Sequence, residues 1–137
     1  MTTQIYVNLP VKNLDKTMKF YSKIGFKFNP KFTDKKGACM IVGKDMFVML
    51  VVEKFFQTFT KKKIINSRKD IETIMGLSAD SRKKVDQMVS AAIKAGGIEP
   101  KPAVDHGWMY GRDFEDPDGH LWEIIYMDEK KFPGTEK

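Results

Sequence analysis

The chain of 137 residues repeats one order of secondary structure twice, and this repeat restricts the folds open to it. Each half contains short segments of alternating polar and apolar residues, which predict strands, and one segment with apolar residues at helical spacing. The order in both halves is strand, helix, strand, strand, strand, and glycines close the helices at Gly25 and at Gly96-Gly97. Only two copies fit, which excludes a solenoid. The sequence therefore predicts a single α+β domain of two βαβββ modules, about residues 4–60 and 66–128.

The predicted strands divide equally between the modules. Those of the first are Gln4–Val11, Phe26–Phe32, Ala38–Val42 and Phe47–Val52, and those of the second are Asp70–Ser78, Ile98–Val104, Trp108–Phe114 and Leu121–Met127. Asn13 and Asp80 are the candidate helix caps. Because each predicted sheet has its helix on one face only, we expect the modules to form a curved mixed sheet around a shared cleft.

Alternation in the first and last strands assigns side chains to faces. In the first strand we expect the apolar set to pack on the helices, leaving Tyr6 and Asn8 toward the cleft; that set is Ile5, Val7, Leu9 and Val11. In the last strand Glu123 has apolar neighbours on both sides, so it is the carboxylate most expected to be buried. A buried carboxylate must be protonated or paired, and Arg112 and Tyr6 are its nearest expected partners.

The seventh predicted strand carries a second candidate group on one face, made of Trp108, Tyr110, Arg112 and Phe114. Two interpretations stay open. The group forms an aromatic wall with a cation for an anionic or planar ligand. Alternatively, Trp108 and Phe114 belong to the core, and Arg112 pairs with a nearby acid such as Glu123.

Charge, hydropathy and cysteine content indicate which kinds of partner and which compartment to expect. The 24 basic and 18 acidic residues give a net charge of +6, which favours an anionic small ligand. The lysines are scattered rather than continuous, so we expect no nucleic-acid partner. No apolar run approaches the roughly 18–20 residues of a membrane span, and no signal peptide is visible, so we expect no membrane partner. The single cysteine, Cys39, is typical of a cytoplasmic protein.

Two segments carry a resemblance to a known family. They are Val7-Asn8-Leu9-Pro10-Val11-Lys12-Asn13-Leu14, with Phe20-Tyr21 and Ile24-Gly25-Phe26, and Asp113-Phe114-Glu115-Asp116-Pro117-Asp118-Gly119-His120-Leu121-Trp122-Glu123. In these the chain resembles the vicinal oxygen chelate superfamily, which includes glyoxalase I, extradiol dioxygenases, and fosfomycin- and bleomycin-resistance proteins. It looks most like the small uncharacterised bacterial glyoxalase-like proteins. The resemblance covers roughly residues 4–128 and implies the same pair of βαβββ modules.

The resemblance also implies where a divalent metal would bind. The four ligand positions of metal-dependent members fall on Tyr6, Met49, Ile74 and Glu123. Of these only Glu123 is an ordinary oxygen ligand, and Met49 and Ile74 cannot replace histidine or carboxylate. We therefore expect no metal and no other cofactor.

Two functions from different classes remain. The first is a metal-free protein that binds a small organic ligand in an aromatic cleft, through Tyr6, Asn8, Met49, Trp108, Tyr110 and Arg112. The alternative is a lyase or isomerase, similar to lactoylglutathione lyase, that acts on a small oxygen-rich metabolite with or without a divalent metal. In it Glu123 is the base, and Tyr6 or Arg112 steers the oxyanion. Under both we expect a homodimer, and the Phe55-Phe56 segment is expected to cover the cleft or to pack on the dimer mate.

Overall fold

Two four-stranded mixed sheets, each carrying the helices of its own unit, make up the computed structural model, which describes residues 1–133. The chain divides into two units after Asp70. Both units run strand, helix, strand, strand, strand, which confirms the α+β class and the two βαβββ modules.

The first unit orders its strands β1-β4-β3-β2, with β1 parallel to β4 and the other pairs antiparallel. Its elements are β1 (Ile5–Val11), α1 (Leu14–Ile24), β2 (Lys27–Asn29), β3 (Gly37–Gly43), β4 (Met46–Val52) and a short helix α2 (Glu53–Phe56). Asn13 caps α1 as predicted, because its side-chain oxygen accepts the Lys16 N–H at 3.0 Å. Gly25 closes the helix with φ at 114°, a conformation that favours glycine.

One face of this sheet forms the core of the first unit. The strand residues buried on it are Leu9, Val11, Ala38, Met40, Val48 and Leu50, and α1 supplies Leu14, Thr17, Phe20 and Tyr21. The expectation that Ile5 belongs to this core is wrong, since Ile5 is 56% exposed. It lies at the start of an edge strand, beyond the part of β1 that the helix covers.

The second unit orders its strands β5-β8-β7-β6, with β5 parallel to β8. Its elements are β5 (Ile74–Ser78), α3 (Arg82–Lys94), β6 (Val104–Asp105), β7 (Met109–Glu115) and β8 (Leu121–Met127). Apolar residues of α3 are buried together with alternate residues of β7 and β8; the set is Val85, Val89, Ala92, Phe114, Trp122 and Ile124.

The turn between β7 and β8 fixes which residues of the two strands lie opposite each other. Asp116 accepts the N–H groups of Asp118 and His120 on one carboxylate oxygen, at 2.9 Å each. Gly119 has φ at 89° and donates its N–H to the Asp116 carbonyl. This Asp-Pro-Asp-Gly turn sets Glu115 opposite Leu121 and the remaining pairs with it.

Several predicted boundaries in the second unit are wrong. The strand predicted from Asp70 begins only at Ile74. In place of the strand predicted over Ile98–Val104 there is one isolated bridge from Ile98 to Glu115 and the two-residue β6. Prolines at positions 100 and 102 lack the N–H that a continuous ladder requires.

The predicted N-cap of α3 and the predicted end of β2 are also wrong. Ser81, not Asp80, caps α3, because its hydroxyl accepts the Lys84 N–H at 3.1 Å. Asp80 instead forms an exposed ion pair with the Lys84 ammonium. In the first unit the strand predicted to reach Phe32 ends at Asn29, because Pro30 starts a 3₁₀ turn.

The Phe55-Phe56 segment forms α2 and the 3₁₀ turn that follows it. The Phe59 ring packs edge-on against Phe55 and tilted against Phe56, with centroids 5.1 and 5.9 Å away. The Lys36 ammonium lies 4.9 Å from the centroid of the Phe55 ring. Phe59 stays 53% exposed, so this cluster leaves an aromatic side chain at the surface of the first unit.

The longest helix within residues 1–133 is α3, at 13 residues, and no helix there is both long and apolar enough to cross a bilayer.

Candidate functional site

Glu123 lies on the face of the second sheet that α3 does not cover. It is directly opposite Gly76 on β5 and Asp113 on β7, and side chains opposite each other in a ladder share a face. Residues of the other parity on β7 reach α3: Tyr110 and Arg112 both bond Asp86 of that helix. Glu123 therefore points away from the helix. The expectation that it is the buried carboxylate is wrong, since Glu123 is only half-buried, whereas Asp113 and Asp116 are 5% and 1% exposed.

The Glu123 carboxylate is half-buried and has no partner among residues 1–133. Among the described residues no cationic side chain lies within ion-pair distance of it, and no donor hydrogen-bonds to it. A carboxylate removed from part of its water without a compensating donor is costly. The site is thus arranged to accept a donor that the second unit does not itself supply.

A second carboxylate stands beside Glu123. Asp113 faces it across the β7–β8 ladder, a position that brings Cβ atoms to about 4.5–5.5 Å in antiparallel pairs. Asp113 is 5% exposed, and its ion pair is with Lys101, whose ammonium lies 3.8 Å from one carboxylate oxygen. Glu115 lies on the same face two residues further along β7.

The charge of this face differs from the charge of the chain. Its strand residues include Asp113, Glu115 and Glu123, with Lys101 as the cation paired to one of them, whereas the whole chain carries +6. The local charge of this face therefore does not support the anionic ligand that the net charge favours, and that preference stays a prediction. Nearby charges decide what a site attracts, because charges beyond about 10 Å are screened by salt.

Arg112 does not pair with Glu123, which overturns that prediction. Its guanidinium binds both oxygens of Glu99, at 2.8 and 2.9 Å, and one oxygen of Asp86 at 3.0 Å. The Arg112 side chain is 16% exposed and lies on the α3 face, opposite to that of Glu123. The bonds from Arg112 lower the pKa of Glu99, and Glu99 first, then Asp86, raises the pKa of Arg112.

Tyr110 and Trp108 are likewise engaged within the second unit. The Tyr110 hydroxyl donates to Asp86 at 2.6 Å, which raises the pKa of Tyr110 and lowers that of Asp86. Trp108 precedes β7; its ring lies 4.6 Å from the Phe132 ring and is stacked near His106. Phe114 is fully buried. The interpretation in which Trp108 and Phe114 are core and Arg112 is paired fits for Phe114 and for Arg112, with Glu99 and Asp86 as the acids. It is wrong for Trp108, which is only half-buried.

The first unit gathers three of the predicted ligand-binding residues on one face. Tyr6, Asn8 and Met49 share the side of the sheet opposite its core, with Asn8 directly across from Met49. Tyr6 is directly across from Phe47, and their rings stack with centroids 5.2 Å apart and planes 17° apart. Tyr6 is 54% exposed, and its hydroxyl donates to Gln4 at 2.6 Å. This face offers aromatic and thioether surface with one exposed amide.

A family model describing the glyoxalase/bleomycin resistance protein/dioxygenase superfamily matches residues 3–124. The chain belongs to this superfamily. A hypothetical protein from S. aureus has a similar structure, at 28% identity and a TM-score of 0.79, covering 92% of this chain and 95% of the other. A glyoxalase-related enzyme from Fulvimarina pelagi shares the fold at 19% identity, with a TM-score of 0.75 and coverages of 92% and 88%. A search of the curated proteins finds no match.

The metal site of metal-dependent superfamily members does not fit the residues of this chain. Register places Gly76, not Ile74, directly opposite Glu123, and neither residue offers a ligand atom on its side chain. Tyr6 and Met49 are not opposite each other either, since Tyr6 pairs with Phe47. Within residues 1–133, the strand side chains on the Glu123 face that offer an oxygen or nitrogen ligand are carboxylates and the Ser78 hydroxyl, without the histidine that a transition metal favours.

A separate group, Asp116, Asp118 and His120, has ligand atoms within 4.8 Å of one another. One oxygen of Asp116 already holds two backbone N–H groups of the β7–β8 turn. This geometry accounts for the buried carboxylate as part of the turn.

Sequence reasoning missed Asp113, Gly76 and Phe47. The Asp-Pro-Asp-Gly turn marks this hairpin but does not give its register to one residue. A symmetric turn over positions 116–119 would pair numbers that sum to 235, whereas the observed pairs sum to 236, with Asp113 facing Glu123. Phe47 and Gly76 have no comparable local signal, since parallel pairs are joined through a crossover that leaves the register free.

Proposed function

We propose that this superfamily member binds a small organic molecule without a metal, and that Glu123 receives a hydrogen-bond donor of that molecule. The observation that supports this is the half-buried Glu123 carboxylate, which has no partner in the described part of the chain and lies on the sheet face that α3 does not cover. The same face carries Ile74, Leu121 and Ile125, so a donor on an apolar body suits it. An ammonium group suits it best, because Asp113 adds a second negative charge.

The stacked Tyr6 and Phe47 rings of the first unit, with Asn8 and Met49 beside them, are a further surface for an apolar or planar ligand. Aromatic rings bind apolar bodies and cations with little loss of side-chain freedom. In this proposal Tyr110 and Arg112 hold the second sheet to α3 and do not contact the ligand.

The test is an NMR titration of ¹⁵N-labelled protein with benzylamine, and with benzyl alcohol and benzoate as charge controls. We expect saturable shifts in β5 and β8 with benzylamine, weaker ones with the alcohol and none with benzoate. Glu123→Gln should raise the Kd at least about tenfold, since a charge-assisted hydrogen bond contributes about 1.5–3 kcal/mol. The matched control is Glu129→Gln, a change at an exposed carboxylate after β8. Equal binding of benzoate, or an unchanged Kd in Glu123→Gln, would contradict the proposal.

A lyase or isomerase is the second candidate, with Glu123 as the general base. The same unpartnered carboxylate supports it, because a base must be free to take a proton. Arg112 drops out as the group that steers the oxyanion, since it faces α3. Loss of turnover in Glu123→Gln with binding retained would support the enzyme, and unchanged turnover would exclude this mechanism.

A homodimer is proposed alongside either function. Strands β1 and β5 are edge strands of their sheets, and exposed edges are commonly paired or covered. Light scattering at micromolar concentration should give twice the chain mass of 15.8 kDa, and a monomer would refute the dimer.

A further inference from the structure

Gly76 occupies a strand position where the fold does not need glycine. It lies in the middle of β5, is exposed, and has no left-handed φ. A Cβ atom added there would meet no atom within 4 Å. By contrast, a Cβ at Gly37 would lie 3.1 Å from the Leu50 carbonyl oxygen, so close packing explains that glycine.

Glycine at such a position has a cost. A glycine inside a strand loses more backbone entropy on folding and leaves no side chain to pack, so most residues would stabilise β5 more. Neither backbone conformation nor packing explains why residue 76 is glycine. The residue opposite it in the sheet offers another explanation. Register sets Gly76 directly opposite Glu123, on the same face.

The residue on the other side of Glu123 is Asp113, which is 5% exposed. Access to the Glu123 carboxylate from the β7 side is therefore limited by a side chain. On the β5 side the absent Cβ of Gly76 leaves open space.

We infer that Gly76 keeps open the space through which the donor group of a ligand reaches the Glu123 carboxylate, so that residue 76 limits the size of the group accepted there. The inference rests on the proposed function, in which Glu123 binds the ligand. A primary ammonium or a hydroxyl enters beside Glu123, whereas a branched side chain at position 76 fills the same space. Position 76 is in this sense a specificity-determining position.

The test measures access to the Glu123 carboxylate directly, without a known ligand. The protein is treated with a water-soluble carbodiimide and benzylamine, and the rate of amide formation at each carboxylate is read by peptide mass spectrometry. We expect Glu123 to be labelled in the unaltered protein. Gly76→Val should slow labelling of Glu123 several-fold and Gly76→Ala should slow it less, with labelling of Glu129 unchanged in both.

Ser78→Val is the matched control. Ser78 lies on the same strand and face, two residues from Gly76 and opposite Ile125, so the variant places a valine side chain next to the position under test but not opposite Glu123. It should leave the Glu123 rate as it is. Circular dichroism should show that none of the three variants loses stability, and Gly76→Ala serves as the second test if the valine variant fails to fold.

Two results would overturn the inference: labelling of Glu123 in Gly76→Val at the original rate, or no labelling of Glu123 in the unaltered protein. The proposed function fails on different evidence, namely the absence of reversible benzylamine binding in the NMR titration. A protein whose Glu123 is shielded by valine but which binds no amine would therefore retain the inference on access and lose the proposed function.

Discussion

Among the described residues of the second unit, Arg112 bonds two carboxylates and Arg82 bonds one, and the two arginines also differ in burial. Both differences predict how much each arginine contributes to stability. Arg112 bonds Glu99 through two nitrogens and Asp86 through one, with its side chain 16% exposed. Arg82 bonds both oxygens of Asp105 at 2.8 Å, with side chains 41% and 51% exposed. Solvent screens the second pair far more than the first.

Replacing Arg112 by methionine keeps most of the side-chain length but leaves two carboxylates without their cation. Breaking a fully buried pair costs about 3–5 kcal/mol and an exposed pair about 0–1 kcal/mol. Glu99 is 28% and Asp86 49% exposed, so Arg112→Met lies between these limits, and we expect it to lower the free energy of unfolding by about 2 kcal/mol. Arg82→Met should cost less than half as much.

Urea unfolding followed by tryptophan fluorescence measures the free energy of unfolding of both variants. The signal reports on the second unit, because the chain's two tryptophans, Trp108 and Trp122, both belong to it.

The pH dependence of this free energy supplies a further check. Arg112 lowers the pKa of Glu99, so its stabilisation is present above the ordinary glutamate range and is lost as pH falls through the lowered pKa. The difference between the unaltered protein and Arg112→Met should therefore shrink below about pH 4. An Arg82→Met cost equal to that of Arg112→Met would refute the argument from burial.

Three other predictions follow from single positions. Gly25→Ala should lower the free energy of unfolding by about 1–2 kcal/mol, measured by circular dichroism in urea, because φ is 114° there. Met40→Ala should cost about 2–5 kcal/mol through the cavity it leaves, whereas Met46→Ala, at a side chain 48% exposed, should stay within about 0.5 kcal/mol. Cys39 should react with a thiol reagent such as DTNB far more slowly in the native protein than in urea, because burial raises the pKa of its thiol; equal rates would contradict this.

Much of the fold followed from local signals in the sequence. Asn13, Gly25 and the Asp-Pro-Asp-Gly turn each act over a few residues, and each performs the predicted task. Some failures have a local cause, and others depend on a nonlocal partner. Residues 98–104 alternate like a strand, but their prolines leave a ladder too sparse to continue, and Ile5 alternates like a core residue although the helix does not reach it.

The candidate site shows why alternation alone could not identify the ligand-facing side chains. Period two tells which residues of β7 share a face, but both sets on this strand contain polar groups: Tyr110 and Arg112 in one, Asp113 and Glu115 in the other. The set with the larger and more distinctive side chains suggests a binding wall, yet it faces α3. The helix meets it with Asp86, a residue that looks in the sequence like an ordinary solvated acid.

Net charge misleads for the same reason. A sum over the chain cannot show that Arg112 of β7 bonds carboxylates on the helix side, while three acids lie on the opposite face and one of them is paired with Lys101. Once the turn fixes Glu123 opposite Asp113, that local charge favours a cationic or donor-rich ligand despite the overall +6. The register between β7 and β8 therefore determines the charge next to Glu123. A one-residue slip in that register would place Arg112, instead of Asp113, opposite Glu123.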